Sequence, residues 1–552
     1  MIVLLSTSDT DLLSARASGA GYRLANPARL DLADLPALLA GARIVVVRIL
    51  GGERTWQEGL DLVRASGAHV VVLGGEQAPD AELMKLSKVP AGIATQAHTY
   101  LAHGGPENLA QLHRFLSDTL LLTGDGFEPP AEQPTWGVLE RAQRRDAGPG
   151  GGNCTVAILY YRAHHFAGNT AFIEALCEAV EDAGGRPLPI YCATLRNREP
   201  AMIDELRAAD ALLVTVLAAG GTKPSEVGAG GDDEAWDVAE LAELDIPTLQ
   251  ALCLTTDRDS WAASDEGLSP MDAASQVAVP EFDGRIITVP FSFKETDADG
   301  LPRYVPDAER ACRVAAIAVN HARLRHIPPA ERKVALVLSA YPTKHSRVGN
   351  AVGLDTPASA VTLLRAMREQ GYDLGPEPVP GVDPAGDEQP EGTAVPAGDR
   401  FIHALIEAGG QDPEWLTEEK LTGNPIRVPA AQYREWFSAL PADLRVEVEE
   451  HWGPAPGELF IDNTARSSDE SGDIVLASLR AGNVIIMIQP PRGFGENPVA
   501  IYHNPDLPPS HHYLAAYRWL EATEEDGGFG AHAVVHLGKH GSLEWLPGKT
   551  SG

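Results

Sequence analysis

Short apolar runs, many of them β-branched, recur along the chain between longer stretches whose apolar residues fall at helical spacing. Ile2-Val-Leu-Leu5, Ile44-Val-Val-Val47 and Val70-Val-Val-Leu73 are the first three. A strand with one wet face alternates apolar and polar side chains, whereas a run that is apolar throughout is covered on both faces, as in a parallel sheet flanked by helices. The pattern therefore predicts an α/β protein of several doubly wound, parallel-sheet (flavodoxin-like) units with an added helical segment.

Three units follow from the spacing of these runs. Residues 1–135 form an N-terminal α/β unit, and Gln143 to Asn153, rich in glycine and charge, reads as a linker. Residues 154–330 form a second, flavodoxin-like unit that opens with Thr155-Val-Ala-Ile-Leu-Tyr-Tyr161 and enters a helix near Asn169 or Thr170, closed by Gly184-Gly185. Residues 331–552 form a third, opening with Val334-Ala-Leu-Val-Leu338 and carrying a helix from about Pro357 to Glu369, with Thr356 as its N-cap. Both openings begin Val-Ala, and both place Gly-Asn (Gly168-Asn169, Gly349-Asn350) ahead of a helix, an internal echo. Residues 222–233 and 375–400, rich in Gly, Pro and acids, read as loops, the second of them disordered. Helices are expected at Glu414–Leu421 and from Ala430 to Trp452, the latter broken at Pro441.

Composition removes several classes. The 552 residues hold 77 Asp+Glu against 44 Lys+Arg, a formal charge of −33. Such a surface repels nucleic acid and anionic lipid, so neither is an expected partner. No apolar run approaches the ~18 residues of a membrane helix, and the start lacks the basic residues of a signal peptide, which points to a cytoplasmic protein without a membrane span. The five cysteines show no Cys-x-x-Cys pair; they read as small buried core residues.

The densest chemistry lies near the end of the chain. Ala533-Val-Val-His536-Leu-Gly-Lys-His540-Gly-Ser-Leu-Glu544-Trp-Leu-Pro-Gly548 delivers two imidazoles and a carboxylate from a β-branched run into a turn containing Gly538 and Gly541. A continuous helix would put His536, His540 and Glu544 on one face. The glycines and Val534-Val535 favour a strand to His536, a glycine turn, and a short helical turn from Gly541 to Leu546 stopped by Pro547. Imidazole and carboxylate suit Co, Ni, Fe or Zn and also accept protons. Spacing alone leaves open a solvated loop with a core histidine.

The stretch from His536 to Gly548 resembles the signature of the large tetrapyrrole-binding subunits of the class I chelatases, the CobN and magnesium-chelatase H family. Tyr161-Arg-Ala-His-His-Phe-Ala-Gly-Asn169, Gly349-Asn-Ala-Val-Gly-Leu-Asp-Thr-Pro-Ala-Ser359 and Gln489-Pro-Pro-Arg-Gly-Phe-Gly-Glu496 agree with the CobN branch. The resemblance implies a cobaltochelatase, a ligase forming nitrogen–metal bonds that inserts Co2+, its metal substrate, into hydrogenobyrinic acid a,c-diamide in cobalamin biosynthesis. It implies AAA+ ATPase and adaptor partners that use ATP and Mg2+, in keeping with the lack of a Gly-x-x-x-x-Gly-Lys-Ser/Thr loop here. It places His536, His540 and Glu544 at the active site. For these we assign Glu544 as proton acceptor or transient ligand, His540 as ligand or base, and His536 as supporting ligand.

A substrate with carboxylates of its own needs local cations in so acidic a chain. Arg492, Lys344, Arg347, Arg162 and His165, with Asn350 and His503, are the expected substrate-binding set. His511 and His512, after Pro508-Pro509, are expected above the ring as axial or proton-transfer groups. The chain matches only the front part of such a subunit and is expected to be an N-terminal fragment. Alternative readings are an H-type magnesium-chelatase subunit acting on protoporphyrin IX, a zinc hydrolase using the same triad, and a non-catalytic ligand-binding module.

Overall fold

The computed structural model describes all residues except 77, 142–153, 194, 196–198, 217–241, 299, 341–347, 350, 384–394, 410–420, 422–425, 464–471, 494–503, 540–541, 551–552 and the side chain of residue 544. The expected linker, the 222–233 loop and the helix at 414–421 thus fall wholly or almost wholly outside the described residues. The chain divides into two compact units, Met1–Arg323 with Lys549–Gly552, and Leu324–Gly548. The first two expected units are two sheets inside the first of these.

In the first unit, β1 (Ile2–Ser6), β2 (Tyr22–Ala25), β3 (Ile44–Ile49) and β4 (His69–Gly74) form an all-parallel sheet of order β2-β1-β3-β4. Its uninterrupted apolar runs are explained by two cores. Ile2, Leu4, Ile44 and Val46 feed one, while Val3, Leu5, Val45 and Val47 feed the other, so neither pleat face meets water. The second sheet contains β5 (Trp136–Val138), β6 (Thr155–Tyr161), β7 (Arg186–Cys192), β8 (Ala211–Val214), β9 (Thr248–Cys253), β10 (Ile286–Thr296) and β11 (Pro302–Pro306). Its order is β11-β10-β9-β8-β6-β7-β5, five parallel strands in flavodoxin-like order with an antiparallel strand at each edge.

The second unit is built on β12 (Val334–Leu338), flanked by parallel neighbours β17 (Val484–Ile488) and β18 (Ala533–Leu537), with β16 (Ser478–Ala481) antiparallel to β17. Again alternate residues separate: Leu336, Leu338 and Ile486 pack one core, Val337, Ile485 and Met487 the other. A small antiparallel sheet of β13 (Arg427–Val428), β15 (Asp473–Val475) and β14 (Ile461–Asp462) lies in the same unit. The helical segment is the pair Ala430–Ser438 and Ala442–Trp452, separated at Pro441 as the sequence predicts.

Three local expectations change. The helix Thr356–Glu369 is capped by Asp355, whose carboxylate accepts from the Ala358 N–H at 3.0 Å, so Thr356 is already helical. Residues 375–400 are not wholly unstructured: the helix Ala397–Glu407 starts among them and buries Phe401 and Leu405. The short helical turn expected before Pro547 is present, as a 3-10 turn at Leu543–Trp545. Four cysteines are buried, but Cys312 is exposed. Gly168 and Gly349, the paired glycines of the echo, both sit in the left-handed region, at φ 67° and 69°.

Candidate functional site

Three parallel strands of the second unit end together, at Ser339, Gln489 and Gly538, and in open α/β sheets ligands gather past such carboxyl ends. Backbone bonds lock the ends in step: the Gln489 N–H donates to Leu338 O at 2.8 Å and the Ser339 N–H to Leu537 O at 3.1 Å. Gly538, at φ 129°, passes so close to Ser339 that a Cβ there would sit 2.3 Å from the Ser339 Oγ. The glycine is required both by its backbone angle and by the neighbouring strand end.

His536 pairs with Val337 across the strands and faces the helix His511–Glu521, where its Nε2 meets the Tyr517 hydroxyl at 2.9 Å. The Gln489 amide donates to the same hydroxyl at 3.0 Å and accepts the Ser542 N–H at 3.2 Å. Ser542 in turn shares a hydrogen bond of 2.9 Å with the Tyr513 hydroxyl. One network thus ties the strand that carries His536 to the turn that carries the rest of the signature. Burial lowers the His536 pKa, favouring the neutral imidazole, and raises those of Tyr517 and Tyr513, keeping them phenolic. The sequence reasoning singled out neither tyrosine. Their i, i+4 spacing on a helix was the available signal.

Beside this network opens a largely apolar cavity of about 460 Å³. Tyr433, Trp436 and Phe437 come from one helix, Tyr513 and Tyr517 from another, and Leu543 and Leu546 from the signature turn itself. Arg518 and Glu521, paired at 2.8 Å, stand among its lining groups. Walled by aromatic side chains from two helices, the cavity suits a largely apolar ligand with ring surfaces to stack.

The remaining expected residues separate by surroundings. His511 is buried, with Nδ1 on the Tyr433 hydroxyl at 2.8 Å and Nε2 donating to Gly453 O at 2.8 Å, so both ring nitrogens are engaged inside the protein. His512 is also buried; Nε2 donates to Val475 O at 3.0 Å, and burial drives its pKa down to about 4. The helix they begin is capped by Ser510, whose Oγ accepts from the Tyr513 N–H. Arg492 is fully buried and donates to Asn504 O at 2.6 Å, close enough to Tyr513 to influence its ionisation. Arg162 and His165 belong to the first unit; His165 stacks on Tyr191 with centroids 4.0 Å apart and shares a 3.0 Å hydrogen bond with Tyr160. Lys344, Arg347, Asn350, His503 and His540 lie outside the described residues, as does the Glu544 side chain. Among the described residues no group of three or more His, Cys, Asp or Glu is placed to hold a metal, and His536 is the only member of the expected triad with a described side chain.

Parallel-sheet units, one of them with a histidine network and an aromatic cavity at its strand ends, make this an α/β protein. The CobN/Magnesium Chelatase family model matches residues 98–552, and the chain belongs to that family. It is 35% identical over 582 aligned residues to the aerobic cobaltochelatase subunit CobN of Pseudomonas aeruginosa, covering 100% of this chain and 43% of that protein. It is 30% identical to the H-type subunit of the magnesium chelatase of Cereibacter sphaeroides, over 73% of this chain and 32% of that one. Among solved structures, the catalytic subunit of cobaltochelatase from Mycobacterium tuberculosis superposes with a TM-score of 0.81 at 62% identity, over 100% of this chain and 44% of that one. The chain therefore spans less than half the length of these relatives. Among the described residues no helix is long and apolar enough to cross a membrane.

Proposed function

We propose that this chain forms the tetrapyrrole-binding part of the catalytic subunit of a cobaltochelatase. The supporting observation is the aromatic cavity beside the His536–Tyr517 pair and the signature turn, because metal insertion needs a flat macrocycle held next to groups that accept protons. The reaction exchanges two pyrrolic N–H protons for one Co2+, so the site must loosen water from the ion and remove both protons. Glu544 and His540 would serve as proton acceptors and transient cobalt ligands. His536, neutral and held through Nε2, would support them from the strand end. Arg492, Arg162, His165, Lys344, Arg347, Asn350 and His503 remain candidates for the substrate's carboxylates and amides. The macrocycle is proposed to be hydrogenobyrinic acid a,c-diamide, the driving ATPase and adaptor to be separate subunits, and the setting cytoplasmic.

Glu544→Gln in the complete enzyme with its partners tests this reading. Retained macrocycle binding with insertion lost supports it, and unchanged turnover refutes it. Titrating the protein with the corrinoid diamide and with protoporphyrin IX tests the substrate. Preference for the porphyrin would move the assignment to the magnesium-chelatase branch, which the 30% identity to the Cereibacter sphaeroides relative keeps in view. Binding of neither, with stoichiometric zinc and esterase or peptidase activity, would replace it by a hydrolase.

A further inference from the structure

The first unit holds a separate polar crevice, of whose lining the chelatase reading uses only Arg162. In the first sheet, chain order runs outward to β2 on one side of β1 and to β3 and β4 on the other, so β1 and β3 flank a topological switch point. A cavity of about 190 Å³ opens there, lined by residues after β1, by Arg48 on β3, by the segment from Leu101 to Gly105, and by the helix Arg162–Phe166.

Its charges can be followed one by one. Arg48 is fully committed: its guanidinium holds the Asp11 carboxylate at 2.9 Å and donates to the backbone oxygens of Leu101, Gly74 and Gly75. Asp11 also accepts from the Ser6 hydroxyl at 2.7 Å, so this buried pair is a neutral wall. Asp9, in the first turn of the helix Asp9–Ala17, is neutralised by Arg29 at 2.6 Å and Lys294 at 3.3 Å. Arg162 has no acidic partner among the described residues; its hydrogen bonds there are long ones, at 3.3 and 3.5 Å, to the carbonyls of Gln133 and Pro134. His103 also lines the cavity.

Three hydroxyls of the lining are left over among the described residues, those of Ser8, Thr10 and Ser14. Ser14 is 1% exposed and lines the cavity, and its Oγ makes no hydrogen bond among the described residues. The residue is almost wholly enclosed but opens onto the cavity, so its hydroxyl is available to a group held there. Ser8 stands at the N-cap of the same helix without making a side-chain cap bond, beside first-turn N–H groups that favour negative charge.

We propose that this crevice binds a small oxyanion, a carboxylate or phosphate group, held by Arg162, Ser14 and the first turn of the helix Asp9–Ala17. The cavity has room for the anionic group and a few attached atoms. This inference does not rest on the chelatase assignment.

Calorimetric titration of the whole protein with inorganic phosphate, and separately with acetate, at constant ionic strength tests it. Saturable binding of either is expected, weakened about tenfold or more by Arg162→Gln and measurably by Ser14→Ala, with melting curves confirming that both variants fold. Binding of phosphate alone identifies a phosphoryl ligand, and of acetate alone a carboxylate. No saturable binding of either, or variants that titrate like the parent, would overturn the proposal.

Discussion

The Tyr517 hydroxyl, 2.9 Å from Nε2 of His536, also accepts the Gln489 amide at 3.0 Å. The Ser542 N–H on Gln489 Oε1 fixes which way that amide points. With one lone pair of its oxygen taken by Gln489, Tyr517 is predicted to donate its proton to His536, which would place the imidazole hydrogen on Nδ1. Nitrogen NMR of the histidine ring near neutral pH should show this tautomer. Tyr517→Phe should abolish the preference and, by stranding the Gln489 donor, destabilise the second unit by about 1–3 kcal/mol in urea unfolding. A mixed tautomer in the parent protein would contradict the arrangement.

Gly538 should not tolerate a side chain. Its φ of 129° and the 2.3 Å approach to Ser339 Oγ together predict that Gly538→Ala destabilises by about 1–3 kcal/mol. Ser339→Ala alone should stay within about 0.5 kcal/mol of the parent, because its buried Oγ has no partner to lose among the described residues. Adding Ser339→Ala to Gly538→Ala should recover the steric part and leave the backbone part. Full recovery would show that the backbone angle carries no strain.

His511 is predicted to matter for stability more than for ligand binding. His511→Ala removes a buried ring and strands the Tyr433 hydroxyl, so a loss of about 2–4 kcal/mol is expected. Macrocycle affinity per folded molecule should be unchanged. A selective loss of affinity at intact stability would instead make His511 a ligand-binding group.

His512 makes a pH prediction. Its folded pKa is lowered to about 4 from an ordinary value of 6.5, so between those values the unfolded chain holds a proton that the folded chain refuses. Its neutral form is therefore favourable above pH 6.5, and stability falls as the pH drops from 6.5 towards 4, by about 1.4 kcal/mol per unit at most. His512→Gln, which can still donate to Val475 O, should flatten the pH dependence of unfolding over this window. Parallel curves for parent and variant would reject the assignment.

How far the sequence reaches is clear from particular residues. The runs at Ile2, Ile44 and Val334 announced strands buried on both faces, because two cores on opposite faces demand unbroken apolar character. The break at Pro441 was equally legible, since proline removes a helical donor. His511 and His512 looked like reactive groups because adjacency to prolines carries no information about which carbonyl or hydroxyl waits across the core. Arg492 was expected to meet a substrate carboxylate; it is wholly enclosed, and its guanidinium donates to a backbone oxygen twelve positions on.

By itself the sequence determined the alternation of strands and helices and the glycine at the turn after His536. These depend on local dihedral limits and on period, which neighbouring residues fix. Only the tertiary structure decided that Tyr517, Gln489 and Ser542 converge on that histidine, that aromatic side chains from two helices form a wall beside it, and that Ser14 lies buried in a crevice with Arg162. Those contacts join residues dozens to more than a hundred positions apart, and chain order does not encode such distances; packing does.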